Sequence, residues 1–291
     1  MTECTVSVIV ATYRRQETLQ RALGSLGDQT YPDMEIIVVD DNDEPEWNRL
    51  TESVVRRYPN VRYIQNHPNM GSAKTRNIGI EAVRGEYITF LDDDDEYLPR
   101  KVERQAGFMR KNGLDYCLTN LDLYYENGIL CEHRRRDYIE KTDADSLLAY
   151  HLMHHMTGTD VMMFRRDYLM KIGMFDPINV GDEFYLMQKA ILGGGRFGWL
   201  DGCDVRAYVH TGEGGLSSGD GKIKGEMALY EDKKRFFDRL SRDQVRYIKT
   251  RHYAVLAFAE IRRRHYLAFV GNAAGAAFTS PGDCLRVLRQ K

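Results

Sequence analysis

The chain has 291 residues, room for one large domain or a domain of about 200 residues plus an extension. Hydrophobic residues make up 43% and charged residues 29%, ordinary soluble usage, and a net charge of −2 gives no global field that would draw nucleic acid. Five scattered cysteines without a C-x-x-C pair exclude a disulfide frame or zinc site and point to a reduced, cytosolic protein. Met1 to Thr5 is polar and leads straight into a strand-like run, which predicts no signal peptide. No apolar stretch approaches the ~18 residues of a membrane span.

The first hundred residues alternate apolar runs with amphipathic ones. Val6 to Ala11 reads as a buried strand, and Glu17 to Leu26 as a helix with Leu19, Ala22, Leu23 and Leu26 at helical spacing. Glu35 to Val39 is a second strand, ending in Asp40 and Asp41. Glu46 to Tyr58 is a helix stopped by Pro59-Asn60, and Val61 to Ile64 a third strand. Gly71 to Val83 is helical, and Tyr87 to Leu91 is a fourth strand delivering Asp92, Asp93, Asp94 and Asp95. Fully apolar strands separated by helices predict an α/β fold, a mostly parallel sheet covered on both faces. Ligands bind at the carboxyl ends of such strands. Polar clusters fall at three successive ends: Thr12 to Arg15, Asp40 to Asn42, and Asp92 to Asp95.

Further on, Arg100 to Lys111 reads as helix and Leu114 to Tyr125 as strand, with a hairpin turn at Asn127-Gly128. Asp143 to Tyr150 is a short helix, Val161 to Phe164 a strand, Asp182 to Leu192 a helix, and Trp199 to Val209 a strand leading to His210. Gly212 to Gly225 is glycine-rich and reads as flexible. Glu226 to Tyr266 is long helical sequence, and a short helix follows Pro281. From Lys233 to Lys291 there are fourteen Lys and Arg against four acids. Arg262, Arg263 and Arg264 sit among Tyr253, Leu256, Phe258, Tyr266, Leu267 and Phe269, a pattern suited to a helix lying on an anionic membrane surface.

Four consecutive carboxylates need a purpose. An EF-hand loop requires glycine at its sixth position, where this run has Tyr97, and Leu98-Pro99 intrudes before the twelfth, Glu103. An aspartyl-phosphate phosphatase would carry Thr where Glu96 stands. Capping the next helix accounts for one acid, not four. The remaining reading is a divalent cation, Mg²⁺ or Mn²⁺, bridging carboxylates to a diphosphate.

VSVIVATYRR, EIIVVDDN, NMGSAKTRNIGI and GEYITFLDDDDEYLP, in this order and spacing, resemble glycosyltransferase family 2, inverting enzymes of the GT-A fold. The later IGMFDPINVGDEFYLM resembles the family's acceptor-side segment, and the likeness covers roughly Val6 to His210. The helical tail resembles those of bacterial members that build surface polysaccharides. The resemblance implies a catalytic domain over 1–215, with a nucleotide-binding half (1–111) and an acceptor-side half (112–215). A lid and basic, aromatic helices follow over 216–291.

It also implies roles. Thr12, Tyr13 and Arg15 match the nucleoside pocket, and Asp41, or else Asp40, the carboxylate that accepts the uracil N3–H. Asn69, Gly71 and Arg76 match the segment closing over the nucleotide. Asp92 and Asp94 form the D-x-D, with Asp94 the expected metal ligand and Asp92 on the ribose or a metal-bound water. Asp93 departs from the usual small residue, and Ala11 from the usual proline. His210 matches a late metal ligand of many GT-A enzymes, and Lys222 or Lys224 could neutralise phosphate under a lid. Asp182-Glu183 matches an acidic pair in which Glu183 takes the place of the base.

The expected function is metal-dependent, inverting transfer from a UDP-sugar to a glycan or lipid-linked saccharide, in the cytoplasm at the inner face of the plasma membrane. The alternatives are a sugar-nucleotide nucleotidyltransferase, whose glycine-rich signature near the first strand is missing, and a non-catalytic nucleotide-sugar-binding module.

Overall fold

The computed structural model describes residues 6–178, 181–209 and 219–289. They divide into two compact units, the described parts of Met1–Thr142 with Met156–His210, and of Asp143–His155 with Thr211–Lys291.

The main sheet of the first unit contains β1 (Val6–Thr12), β2 (Met34–Asp40), β3 (Val61–Gln65), β4 (Tyr87–Phe90), β6 (Tyr116–Thr119), β9 (Met162–Arg165) and β10 (Phe197–Leu200). Their order is β10-β6-β9-β4-β1-β2-β3. A smaller sheet orders β5 (Glu96–Tyr97), β11 (Val205–Val209), β7 (Leu121–Tyr125) and β8 (Leu130–Arg134) as β5-β11-β7-β8. The expected α/β fold with a largely parallel central sheet is present. All pairings in the main sheet are parallel except those of β9, which runs antiparallel to both β4 and β6.

Helices α1 (Gln16–Gly27), α2 (Pro45–Val55), α3 (Ser72–Ala82), α4 (Lys101–Asn112), α6 (Arg166–Lys171) and α7 (Asp182–Leu192) belong to this unit. The spacing that predicts α1 also names its buried face, Leu19, Ala22, Leu23 and Leu26. Helix α4 ends where Gly113 turns left-handed at φ 58°, a conformation glycine adopts without steric cost. Helix α3 approaches β1 through Gly79, where a Cβ would meet Ile9 Cγ2 at 2.5 Å.

Two long strands expected from sequence are each split between the sheets. Leu114 to Tyr125 breaks at Asn120, whose N–H donates to Gly202 O (3.0 Å) and whose side chain donates to Asp201 (2.9 Å). Residues 201–204 likewise separate β10 from β11. Both strands leave the main sheet at the same level, Thr119 pairing with Leu200, so the two hydrogen bonds of Asn120 join the crossings.

The second unit holds α5 (Ala144–His154), α8 (Gly219–Lys234), α9 (Arg242–Arg262), α10 (Tyr266–Thr279) and α11 (Pro281–Arg289). Helix α5, assigned from sequence to the acceptor-side half, groups here. The run expected as one long helix from Glu226 is interrupted by a 3-10 turn at Phe237–Arg239, and a capping box between Ser241 and Gln244 restarts it as α9. The glycine-rich run expected to be flexible is helical from Gly219 onward. Buried Leu229 and Glu226, the latter 3.1 Å from His252 on α9, anchor that helix. Residues 211–218 lie outside the described residues.

Candidate active site

Strand order creates the crevice. The chain steps from β1 to β2 to β3 on one side, then returns to place β4 on the other side of β1. At such a reversal the loops leaving adjacent strands diverge and expose a cleft at their carboxyl ends. Leu91 N donates to Ile9 O (3.0 Å), so the acidic run emerges beside Thr12.

Asp93, the residue without an expected role, ties the two loops together. Its carboxylate accepts from Thr12 Oγ1 (2.7 Å), Tyr13 N (3.3 Å) and Arg15 Nη1 (3.2 Å). Burial, then the charge of Asp94, pushes the Asp93 carboxyl up to about 7, while Arg15 and Thr12 oppose the shift. Arg15 also pairs with Asp94. Tyr13 leaves its ring 43% exposed, available as a stacking face.

Asp40 and Asp41 end β2 and are buried. Asp40 accepts from Asn42 N (2.9 Å) and from Tyr63 OH. Asp41 accepts from Met70 N (2.8 Å), Gly71 N (2.9 Å) and Asn66 Nδ2 (3.1 Å), while Asn69 Nδ2 donates to Asp41 O (2.8 Å). Thus Asp41, Asn69 and Gly71 meet, and Asp41 organises the approach to α3. Gly71 sits at φ 78°, a conformation that favours glycine.

Arg76 on α3 reaches across to the acidic run. Its Nη2 lies 2.7 Å from Asp92 and its Nη1 3.1 Å from Asp182, joining the ends of β4 and the start of α7. Glu183 accepts from Gly158 N (2.8 Å) and Thr159 Oγ1 (2.8 Å). Burial, then Asp182, then Asp92 raise the Glu183 carboxyl above its ordinary value, and Arg76 opposes them. The two carboxylates are therefore held differently, Asp182 by a cation and Glu183 by neutral donors.

The antiparallel strand supplies a carboxylate that the sequence analysis did not single out. Thr89 pairs with Met163, and extending that register by three residues sets Asp160 opposite Asp92. Asp92 N donates to Asp160 Oδ1 (2.7 Å). Asp92, Asp95 and Asp160 each offer an oxygen within 4.8 Å of the others. Burial is the first cause raising both Asp95 and Asp160; Asp160's charge adds to the first and Asp92's to the second. Crowded hard-oxygen donors that repel one another fit Mg²⁺ or Mn²⁺, whose charge would reverse that repulsion. Asp92, expected on the ribose or a metal-bound water, lies in this group, while Asp94, the expected metal ligand, faces Arg15.

Beneath the cluster, buried Lys101 donates to Thr89 Oγ1 (2.6 Å) and Tyr97 OH (2.7 Å), and Tyr97 OH donates to Phe90 O. Burial pushes the Lys101 ammonium down to about 7. In sequence it resembles any lysine in a first helical turn. His210 lies outside the described residues, as does the side chain of Lys222; Lys224 is exposed on α8.

With this geometry in place, comparison with known proteins is informative. The family model "Glycosyl transferase family 2" matches residues 7–173, and the chain belongs to that family. An uncharacterized glycosyltransferase, MJ1057 of Methanocaldococcus jannaschii, is 32% identical over 174 residues, 57% of this chain and 58% of that protein. The chain thus spans less than two thirds of that relative. The putative colanic acid biosynthesis glycosyl transferase WcaA of Escherichia coli K12 is 25% identical over 239 residues, 81% of this chain and 84% of that one. Among solved structures, S. aureus TarS 1-349 in complex with UDP-GlcNAc superposes with a TM-score of 0.62 at 19% identity, covering 92% of this chain and 89% of that one. The fold is accordingly GT-A, with additional C-terminal helices.

A raised carboxyl has a defined sign in stability. Asp93, at about 7 in the fold against 3.8 ordinarily, favours the folded state fully below about pH 4, and that contribution is lost as pH rises through 7. Metal-free protein should lose on the order of 1–4 kcal/mol between about pH 5 and 8. Thermal midpoints across this range, with and without millimolar Mn²⁺, check it. Mn²⁺ should recover stability at the upper end and do little at the lower. A midpoint that climbs with pH and ignores Mn²⁺ would contradict the cluster's electrostatics.

Proposed function

We propose that this protein transfers a sugar from a nucleotide-sugar, specifically a UDP-sugar, to a glycan or lipid-linked saccharide of a bacterial surface polysaccharide, inverting the anomeric carbon. The observation that carries this reading is the meeting of Asp92, Asp95 and Asp160 with the Arg76-linked pair Asp182-Glu183. The similarity to WcaA, a putative colanic acid biosynthesis glycosyl transferase, supports the polysaccharide, and the likeness to TarS in complex with UDP-GlcNAc supports the UDP-sugar.

In this reading Thr12, Tyr13 and Arg15 receive the nucleoside, and Asp41, Asn69 and Gly71 shape the opposite wall, with Asp40 bracing them. Asp92, Asp95 and Asp160 hold Mn²⁺ or Mg²⁺, with Asp94 alongside. The bound cation supplies positive charge against the departing diphosphate. Arg76 fixes Asp92 and Asp182 in relation to each other. Glu183 takes the acceptor hydroxyl's proton; its raised carboxyl brings its proton affinity nearer that task, and Gly158 and Thr159 fix its direction. Positioning of donor and acceptor contributes much of the rate.

Turnover of UDP-sugars with Glu183→Gln and Asp160→Asn tests this. Glu183→Gln should lower kcat on the order of 10²- to 10⁴-fold. Asp160→Asn should lower kcat/KM on the order of 10²-fold at low Mn²⁺, with partial recovery at high Mn²⁺. Both variants remaining within a few-fold of wild type would remove the proposal, and pyrophosphate release from NTP and sugar phosphate would favour a nucleotidyltransferase.

The expected membrane contact has support in the second unit. None of the described helices is long and apolar enough to cross a membrane. Helix α10 carries no charged residue, yet Leu267 and Phe278 are 92% and 90% exposed, with Tyr266 and Val270 also exposed. Exposed Arg262 and Arg264 immediately precede it. Apolar side chains beside cations suit an anionic lipid surface, whereas two such copies face to face would bring like charges together. Anionic vesicles should pellet the protein, and Leu267→Glu with Phe278→Glu should cut the bound fraction several-fold. Equal pelleting of both proteins would contradict the contact.

A further inference from the structure

Glu183 accepts from Gly158 N, and the peptide group carrying that donor is itself held from its other side. Arg136 lies just after β8 and is 3% exposed, although Arg134 and Arg135 before it are exposed. Asn120, which joins the two sheet crossings, accepts from Arg136 N through its Oδ1 (3.1 Å). The Arg136 guanidinium then spans two carbonyls. Its Nη1 donates to Thr119 O at the end of β6, and its Nη2 donates to Thr157 O (2.6 Å).

Thr157 O and Gly158 N belong to one peptide group. That peptide is trans, so its C=O and N–H point in opposite directions. Arg136 takes the oxygen, and Glu183 Oε2 accepts from the nitrogen (2.8 Å). A cation on the oxygen polarises the group and strengthens its N–H as a donor. Gly158 stands at φ 116°, a conformation that favours glycine, and with no side chain it has little to fix its own peptide plane. Rotating that plane would give up a charge-assisted bond at each end. Burial, with Arg134, holds the guanidinium below its ordinary value, and Tyr138, Cys203 and Glu183 oppose this; an arginine keeps its proton under such shifts.

We propose that Arg136 is a positioning residue for the transfer: through the Thr157–Gly158 peptide it aims and strengthens the N–H that orients Glu183. Calling Glu183 the base rests on the transfer reading above; the connection from Arg136 through the peptide to Glu183 does not. The ordinary alternative is that Arg136 only ties two neighbouring carbonyls together, with no effect on Glu183.

The connection is read without turnover, by nuclear magnetic resonance of the full chain near pH 8. The sequence has two Thr-Gly pairs, Thr157-Gly158 and Thr211-Gly212. Threonine labelled with ¹³C at the carbonyl, combined with ¹⁵N glycine, selects those two amides, and a Thr211→Ser background leaves Gly158 alone. The Gly158 N–H, bonded to an ionised carboxylate, should resonate downfield, and Glu183→Gln should move it upfield. Arg136→Met should move it the same way and speed its hydrogen exchange several-fold. Arg136→Lys keeps the charge without the planar fork and should fall between. If Arg136→Met fails to fold, Arg136→Lys carries the test. A Gly158 signal that the Arg136 variants leave in place, or that Glu183→Gln leaves in place, overturns the proposal.

Turnover gives the second readout, as UDP release from UDP-glucose and UDP-GlcNAc with Mn²⁺. Arg136→Met should lower kcat about tenfold or more, with the donor KM within about twofold of wild type. In a Glu183→Gln background the same change should cost little more, because Arg136 acts through Glu183. Equal fold-losses in both backgrounds, or a loss carried by the donor KM, overturn the positioning role. Wild-type turnover by Glu183→Gln, with the Gly158 signal still responding to Arg136→Met, overturns the role in transfer together with the base reading and leaves a structural connection alone.

Discussion

Crowding of like charge is the constraint around which the first unit is organised. Asp92, Asp93, Asp94, Asp95, Asp160, Asp182 and Glu183 gather near the carboxyl ends of β1 and β4, several of them buried. Buried carboxylates without compensation protonate or push apart. Each here has a specific answer to that pressure. Asp93 is bound by Thr12 and Arg15, Asp182 by Arg76, and Glu183 by Gly158 and Thr159. Asp92, Asp95 and Asp160 answer it least completely among themselves, and that residual repulsion makes a cation the natural complement of the site.

Topology explains why the charges meet at all. A parallel sheet sends every strand end to the same edge, which accounts for Thr12, Asp40 and the acidic run. Asp160 reaches that edge only because β9 runs the other way, so that its beginning lies where β4 finishes. Arg76 arrives from α3, whose close approach to β1 depends on the missing Cβ of Gly79. The same crevice thus draws on parallel strands, one reversed strand and a tightly seated helix.

Much of this is legible in the sequence, for identifiable reasons. Uninterrupted apolar runs and helical spacing locate β1, β2, β4 and α1 to α4, because burial on both faces of those strands leaves a strong pattern, while the edge strand β3 is placed mainly by the Pro59-Asn60 stop before it. The acidic run is conspicuous because no solvated turn needs it. Asp160 is an isolated acid before an apolar strand, and its position depends on strand direction, which composition does not encode. Lys101 sits at ordinary helical spacing, and only tertiary packing buries it. The helix starting at Gly219 runs against local glycine propensity, and contacts such as Glu226 with His252 override that preference. The splitting of Leu114 to Tyr125 between two sheets likewise follows from Asn120 bonding to distant residues.

The division between units has a chemical counterpart. Acids dominate the crevice of the first, while the second carries exposed apolar side chains on α10. The central claim nevertheless concerns the acids. The most direct measurement is anomalous scattering from a crystal soaked with UDP and Mn²⁺. The account predicts a manganese peak bounded by Asp92, Asp95 and Asp160, with diphosphate oxygens completing its shell. Clear density for UDP in the crevice with no manganese beside those carboxylates would contradict it.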